Sequence, residues 1–134
     1  MSAYTRNAVY SQVRSAIIAE FPSAYITSRM VAKPSKFPAV LIHEIDRNRP
    51  IRNTQLDFQD VQWESTFEVQ IVSAKANTAA TEAYAIMDIA RQSFSDLYYR
   101  EFSETNIDNG DTFTLIGRFR RIIGGGDTMP VISA

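Results

Sequence analysis

One histidine and two acidic residues stand close together near the middle of the chain, as His43, Glu44 and Asp46. A histidine beside carboxylates can act as a general base, and both side-chain types are common metal ligands. In a strand, however, His43 and Glu44 point to opposite faces, and the chain has no second histidine and no cysteine to complete a typical site. The pattern favours a structural or interface histidine, and a small hydrolase or metal-dependent enzyme is the alternative.

Arginines are densest at 118–121, where the sequence reads RFRR. Such a cluster could contact phosphates, but the formal net charge of −1 argues against a strong nucleic-acid binder. Arg118 and Arg120 share one face of a predicted strand. They are therefore expected either to pair with Glu64 or Glu68 on the neighbouring strand or to face a neighbouring subunit.

Other residue types that can do chemistry do not form a recognisable motif. The triglycine at 124–126 is not a phosphate-binding loop, since no Lys-Ser or Lys-Thr follows it. The serines do not occur in a G-x-S-x-G pattern. Trp63 and several tyrosines could form an aromatic binding surface, although such residues more often pack in a core or an interface. The sequence therefore predicts no catalytic residue, no metal and no cofactor.

The longest polar stretch of the chain, residues 46–63, separates two strand-like segments. Loops of more than about 12–15 residues without structure are uncommon, and are usually functional or disordered. Folded symmetrically, the stretch sets Arg52 opposite Asp57 and Arg49 opposite Asp60, as in a long β-arm. An isolated two-stranded arm is marginal in water, so an ordered arm would need a neighbouring chain. A disordered loop is the alternative.

Two segments have the apolar period of helices, residues 3–20 and residues 78–99. Ser2 is the expected N-cap of the first, and Asn77 or Thr78 that of the second. The second segment has one continuous apolar stripe, which should face the core. The stripe consists of Ala83, Ile86, Met87, Ala90, Phe94 and Leu97.

Strands are expected in five segments, namely 24–32, 37–45, 64–73, 101–106 and 112–123. Residues 37–45 are apolar on both faces, which predicts a central strand covered on both sides. Residues 64–73 alternate apolar and polar side chains, as a half-buried strand does. Asn109-Gly110, between the last two segments, is a strong signal for a hairpin turn.

These elements predict a single α+β domain over residues 1–134. It should have a mainly antiparallel sheet of about four or five strands, two helices packed on it, and a long arm or loop between the second and third strands. Residues 1–123 would form the folded core with the arm, and 124–134 a loose tail. A composition of 45% hydrophobic residues favours a folded core. With neither a membrane-length apolar run nor a signal peptide, we expect a soluble protein made in the cytoplasm.

The order and spacing of segments over about residues 37–123 resemble the tail terminator, or tail completion, proteins of long-tailed bacteriophages and prophages. FPAVLIHEID (37–46) is similar to that family's strand of Phe-Pro, an apolar run, Glu and Asp, and the long polar insert follows directly. ESTFEVQIVSAKA (64–76) resembles its second strand, and TEAYAIMDIARQSFSDLYY (81–99) its long helix. TFTLIGRFRRII (112–123) resembles its closing strand with spaced arginines.

The resemblance implies a structural role and no enzymatic motif. It implies a small α+β subunit of a ring, usually a hexamer, that caps the finished tail tube and joins it to the head. The implied partners are further copies of the chain, the tail tube protein and the connector or stopper proteins of the neck. DNA would pass through the ring without specific binding, and the implied location is the virion, after assembly in the host cytoplasm.

Another neck component, such as a head-completion or stopper protein, is the alternative within the same class. For either role, the charged insert and the basic strand supply the expected contacts. The residues expected at a subunit or partner interface are Arg47, Arg49, Arg52, Asp57, Asp60, Trp63, Arg118 and Arg120.

Overall fold

One sheet and two helices make up the part of the chain that the computed structural model describes, residues 5–29, 36–48, 62–74 and 78–124. The elements are α1 (Arg6–Glu20), β1 (Tyr25–Thr27), β2 (Ala39–Asn48), β3 (Gln62–Ser73), α2 (Ala79–Asp96), β4 (Arg100–Asp108) and β5 (Phe113–Gly124). The strand order is β1-β2-β3-β5-β4, and of these pairs β1–β2 is parallel and the others antiparallel. The predicted α+β class and order of elements are confirmed, with a sheet that is mixed but largely antiparallel.

Helix α1 begins later than its sequence pattern predicts. Its N-cap is Thr5, whose Oγ1 accepts a hydrogen bond from the Ala8 N–H at 3.1 Å, so the prediction of Ser2 as the cap is wrong. Both residue types make good N-caps, so local sequence does not choose between them. The apolar period is confirmed by the buried residues of the helix, Val9, Val13 and Ile17.

Helix α2 packs its predicted apolar stripe against the sheet. All six residues of the stripe are fully buried. Thr78 is the N-cap, although its side chain makes no capping hydrogen bond. The helix lies close to β5 at Gly117, where an added Cβ would stand 2.9 Å from the Met87 sulfur. A glycine at this point therefore allows α2 its close approach to the sheet.

Both helices lie on one face of the sheet, called here the helix face, and the other is the open face. Val40 and Ile42 of β2 lie on the helix face, while Ala39 and Leu41 lie on the open face and are only 6% and 7% exposed. The apolar character of both faces of β2 is thus matched by burial. The three residues of β1 pair with residues 39–41 of β2, and β1 is the edge strand on this side. β2 is therefore the second strand of the sheet, and β3 is the central one.

The hairpin between β4 and β5 forms where Asn109-Gly110 predicts it. The Asp108 carboxylate accepts a hydrogen bond from the Gly110 N–H at 2.9 Å, and the Asn109 N–H donates to the Thr112 carbonyl at 3.0 Å. Gly110 has a φ of +84°, a conformation that favours glycine. The turn places β4 at the edge of the sheet, next to β5.

Strands β2 and β3 remain paired as far as the start of the polar insert, where Asn48 lies opposite Glu64. A β-bulge between Glu44 and Asp46 shifts every later pair of β2 by one residue. The predicted pairs of Arg52 with Asp57 and of Arg49 with Asp60 lie outside the described residues.

Candidate functional site

A buried carboxylate on the helix face ties α1, β2 and β3 together near the end of β2. The Glu44 side chain is 2% exposed and accepts hydrogen bonds from Arg6 Nε at 3.1 Å, Arg47 Nε at 2.9 Å and Ser65 Oγ at 2.6 Å. Burial alone would raise the pKa of Glu44, but the hydrogen bonds from Arg47, Ser65 and Arg6 outweigh it and lower the pKa. The carboxylate therefore stays charged and holds the base of the insert to the core.

Tyr99, just after α2, extends this cluster towards the core. Its hydroxyl donates a hydrogen bond to Ser65 Oγ at 2.9 Å, and Ser65 in turn donates to Glu44. The ring packs edge-on against Phe67 and Phe94, with centroids 5.7 and 5.3 Å away. Burial raises the pKa of Tyr99 to about 12, so the phenol remains a hydrogen-bond donor at neutral pH.

On the open face, three charged or titratable side chains form a separate line across β2, β3 and β5. His43 Nε2 lies 3.1 Å from one oxygen of Glu68, and Arg118 Nε donates to the other oxygen at 3.0 Å. His43 and Glu44 thus lie on opposite faces, as strand parity predicts, and each is engaged by different partners. Asp46 accepts a hydrogen bond from the side chain of Asn48. His43, Glu44 and Asp46 therefore do not converge on one site.

The two arginines of the basic strand have different partners. Arg118 pairs with Glu68, as predicted. Arg120 lies instead over the Phe102 ring, with its guanidinium carbon 4.6 Å from the ring centroid, and it is opposite Thr66 on β3. The expectation that Arg120 pairs with Glu64 or Glu68 is therefore wrong, because the observed register sets it between Thr66 on β3 and Arg100 on β4.

Aromatic and arginine side chains occur on both faces at the end of the sheet where the insert begins and ends. We call this end the root surface and define it by Arg47, Trp63, Tyr98, Phe102 and Arg120. Arg47 and Trp63 lie on the helix face, and Arg120 and Phe102 on the open face. The three aromatic residues of the root surface are exposed, Trp63 by 38%, Phe102 by 43% and Tyr98 by 68%. Near this end, Arg121 holds the last turn of α2 in place by donating a hydrogen bond to the Leu97 carbonyl at 2.8 Å. Tryptophan, tyrosine and arginine are the residue types that most often dominate protein interfaces.

The sequence singled out Arg47, Trp63 and Arg120 of the root surface, and the structure brings them to one end of the sheet. It did not single out Phe102, whose side is determined by a β-bulge between Glu101 and Ser103. No local pattern indicates that bulge. The other predicted interface residues, Arg49, Arg52, Asp57 and Asp60, lie outside the described residues, as does most of the predicted tail.

Two further observations concern sites of other kinds. In the described ranges, no three histidine, aspartate or glutamate side chains are arranged to hold a metal ion. Within the same ranges, neither helix is long and apolar enough to cross a membrane.

No protein-family model matches the chain, and no curated protein matches it either.

Proposed function

We propose that the chain is a tail terminator subunit of a long-tailed bacteriophage or prophage, and that it acts through assembly contacts rather than catalysis. Copies of the chain form a ring, a hexamer, that caps the tail tube. One side of the ring contacts the tail tube protein and the other contacts the connector or stopper proteins of the neck. DNA passes through the ring without specific binding.

The observation that carries this proposal is the root surface together with the long insert that starts from it. Residues 49–61 connect Asn48 to Gln62, so both ends of the insert are anchored beside Arg47 and Trp63. The buried Glu44 cluster fixes this base to the core. An anchored base with exposed aromatic residues, next to an insert rich in charged residues, suits a protein that binds other subunits through this end.

The open face is consistent with a ring through which DNA moves. A ring lined with unpaired arginines would accumulate phosphate contacts and hold the genome tightly. Arg118 is neutralised by Glu68, and His43 lies on the same carboxylate. Charges matched in this way favour passage over binding at Arg118, whereas Arg120 lies over the Phe102 ring and beside Arg100 on β4.

The alternative of a hydrolase around His43 has less support from the geometry. Glu44, the nearest carboxylate in sequence, lies on the other face and already accepts three hydrogen bonds. Glu68, the carboxylate that His43 does contact, is shared with Arg118. These contacts support a structural role for His43.

The proposal can be tested with purified protein and purified tail tubes. Native mass spectrometry should find a closed ring, and negative-stain microscopy should find that ring at the ends of the tubes. A stopper protein would bind head connectors and leave bare tubes uncapped, so both targets belong in the experiment. If the protein bound neither the tail tubes nor the head connectors, a role in the neck of the virion would be refuted.

A further inference from the structure

Helix α2 ends in a turn whose last position usually contains glycine. The Tyr99 N–H donates to the Phe94 carbonyl at 2.8 Å, and the Tyr98 N–H donates to the Ser95 carbonyl at 2.9 Å. These two bonds form the Schellman pattern of a helix C-terminus, in which the residue after the C-cap takes a left-handed conformation. Leu97 is the C-cap, so that residue is Tyr98, with a φ of +66°.

A tyrosine at this position strains the backbone. The left-handed conformation brings Cβ close to the following carbonyl oxygen, so it is unfavourable for residues that have a side chain. Glycine or asparagine makes the same turn with less strain. Within the described ranges, Tyr98 is the one non-glycine residue with a positive φ. The chain therefore has a tyrosine where the local backbone favours another residue.

The side chain of Tyr98 gains little from burial. It is 68% exposed, whereas the other exposed large apolar side chains that the structure describes range from 37% to 45% or close to it, as in Trp63 at 38% and Ile107 at 45%. The guanidinium carbon of Arg121 lies 5.5 Å from the centroid of the Tyr98 ring. At an exposed site such a contact is weak. Packing within the chain therefore does not explain the choice of tyrosine.

Arg121 supports the ring of Tyr98 from one side. Its Nη1 donates to the Leu97 carbonyl at 2.8 Å, and its Nε donates to the Ile122 carbonyl at 3.2 Å. The guanidinium is thus tied to both α2 and β5 while it lies against the ring. A ring that is held in place before binding loses less conformational entropy when a partner covers it.

The neighbouring tyrosine ties this turn to the end of the sheet at which the insert begins. Tyr99 is buried, and its hydroxyl donates to Ser65. Ser65 pairs with Arg47 on β2 and with Arg121 on β5. Tyr98 therefore presents its exposed ring beside the base of the insert.

We propose that Tyr98 is a contact residue between copies of the chain, and that its ring packs against an apolar part of the next copy in the ring. Sequence preferences are most often broken at functional positions, and tyrosine is a frequent anchor of protein interfaces. The partner is a second copy because the insert, which we assign to ring formation, starts at the same end of the sheet. The inference rests on the ring of the proposed function and names one residue that joins its subunits.

A glycine and an alanine variant separate the backbone of Tyr98 from its side chain. Both remove the ring, but only glycine relieves the left-handed strain. The unfolding equilibrium constant of Tyr98→Ala should be about fivefold higher than that of Tyr98→Gly, which should be at least as stable as wild type. The measurement is urea unfolding at a concentration at which all variants are monomeric.

Assembly should respond in a different way. Both variants should form rings about tenfold or more weakly than wild type, because both lack the anchor. Tyr98→Phe keeps the ring and should assemble more strongly than Tyr98→Ala. Tyr84→Ala removes another exposed tyrosine, from α2, and should assemble like wild type. The readout is oligomer mass by native mass spectrometry over a concentration series.

Several results would overturn the contact at Tyr98. These are a wild-type chain that stays monomeric at high concentration, glycine and alanine variants that assemble like wild type, and a Tyr98→Phe variant that assembles as weakly as Tyr98→Ala. A Tyr98→Gly variant that unfolds much more easily than wild type would also overturn it, because the ring would then serve the fold. If both variants formed normal rings that no longer cap tail tubes, the contact would be with the tube and not with a second copy.

The proposed function fails separately. Rings that depend on Tyr98 but bind neither tail tubes nor head connectors would refute the neck role and leave the contact between copies intact. Rings that cap tubes and form equally well with Tyr98→Gly would refute the contact alone.

Discussion

At the scale of single residues, Glu44 is the carboxylate whose loss should cost the most. Glu44→Gln keeps the shape of the side chain but removes the charge that Arg47 and Arg6 share. Removing one partner of a fully buried pair costs about 3–5 kcal/mol. Because Arg6 is exposed, we expect about 2 kcal/mol here, measured by urea unfolding. Glu64→Gln, on the same sheet, should change little.

The same variant predicts a pH dependence. The pKa of Glu44 is lower in the folded chain than its ordinary value, so the stability it contributes is present above the unfolded pKa. That contribution is lost as the pH falls through the folded-state pKa. The difference in unfolding free energy between wild type and Glu44→Gln should therefore shrink on acidification. A difference that grows would contradict the assignment.

His43→Ala should have little effect on folding. Its one described ion-pair partner, Glu68, keeps Arg118, and partly exposed ion pairs contribute about 0–1 kcal/mol. Unfolding curves should nearly coincide with those of wild type. If the substitution abolished a hydrolytic activity of the purified protein, the enzyme alternative would be right.

The side-chain contacts of this protein differ in how far the sequence predicts them. The Arg118–Glu68 pair depends on the parity of each strand, which the sequence shows, and on the pairing of β3 with β5, which was an expectation that the structure confirms. The sequence does not predict the Arg120–Phe102 contact, because it depends on a bulge in β4. The Glu44 cluster needs α1 to cross the base of β2, which is a matter of tertiary packing.

At the scale of elements, the stripe of α2 should be essential to the fold. Ile86 is fully buried, so Ile86→Asp places an unpaired charge in the core at a cost of several kcal/mol. Ala85→Asp, one residue earlier and exposed on the same helix, is the matched control and should be tolerated. Thermal unfolding monitored by circular dichroism distinguishes them. Cooperative unfolding of Ile86→Asp near the parent temperature would show that the stripe is not core.

The insert should be dispensable for folding but needed for assembly. Replacing residues 48–60 by Asn-Gly removes a polar segment and leaves a short loop between Arg47 and Ser65, which pair in the sheet. We expect a folded protein that neither forms rings nor caps tail tubes. An insert of equal length made of glycine and serine is the control that separates length from charge. A shortened variant that assembles like wild type would refute a role for the insert.

The elements themselves were predictable to different degrees. Apolar period is a local property, so both helices and the buried parts of β2, β3 and β5 could be located from it. Strand register and neighbours are non-local, so the parallel pairing of short β1 and the register at Asn48 could not. The place of β2 beside the edge was missed for the same reason.

At the scale of the whole molecule, the arginines of the open face should matter for docking more than for DNA. Reversing Arg118 and Arg120 together to glutamate sets like charges against Glu68 and removes the contact over Phe102. We expect weaker assembly on tail tubes and little change in an already weak affinity for duplex DNA, measured at low and moderate salt.

A double variant of equal charge change provides the control. Arg14→Glu with Arg29→Glu alters two exposed arginines away from the basic strand, and should leave docking intact. Circular dichroism must show that both double variants fold. Tight binding of DNA by wild type, lost in the Arg118/Arg120 variant while oligomer mass is unchanged, would favour a DNA-contacting patch instead.

Trp63 is the only tryptophan of the chain, and it lies 38% exposed in the root surface. The emission of an indole moves to shorter wavelength when a contact excludes water, and to longer wavelength when unfolding admits it. Docking at the root surface and loss of structure therefore give fluorescence signals of opposite direction. Without any label, a stopped-flow trace of this one fluorophore would time the arrival of a partner at the base of the insert.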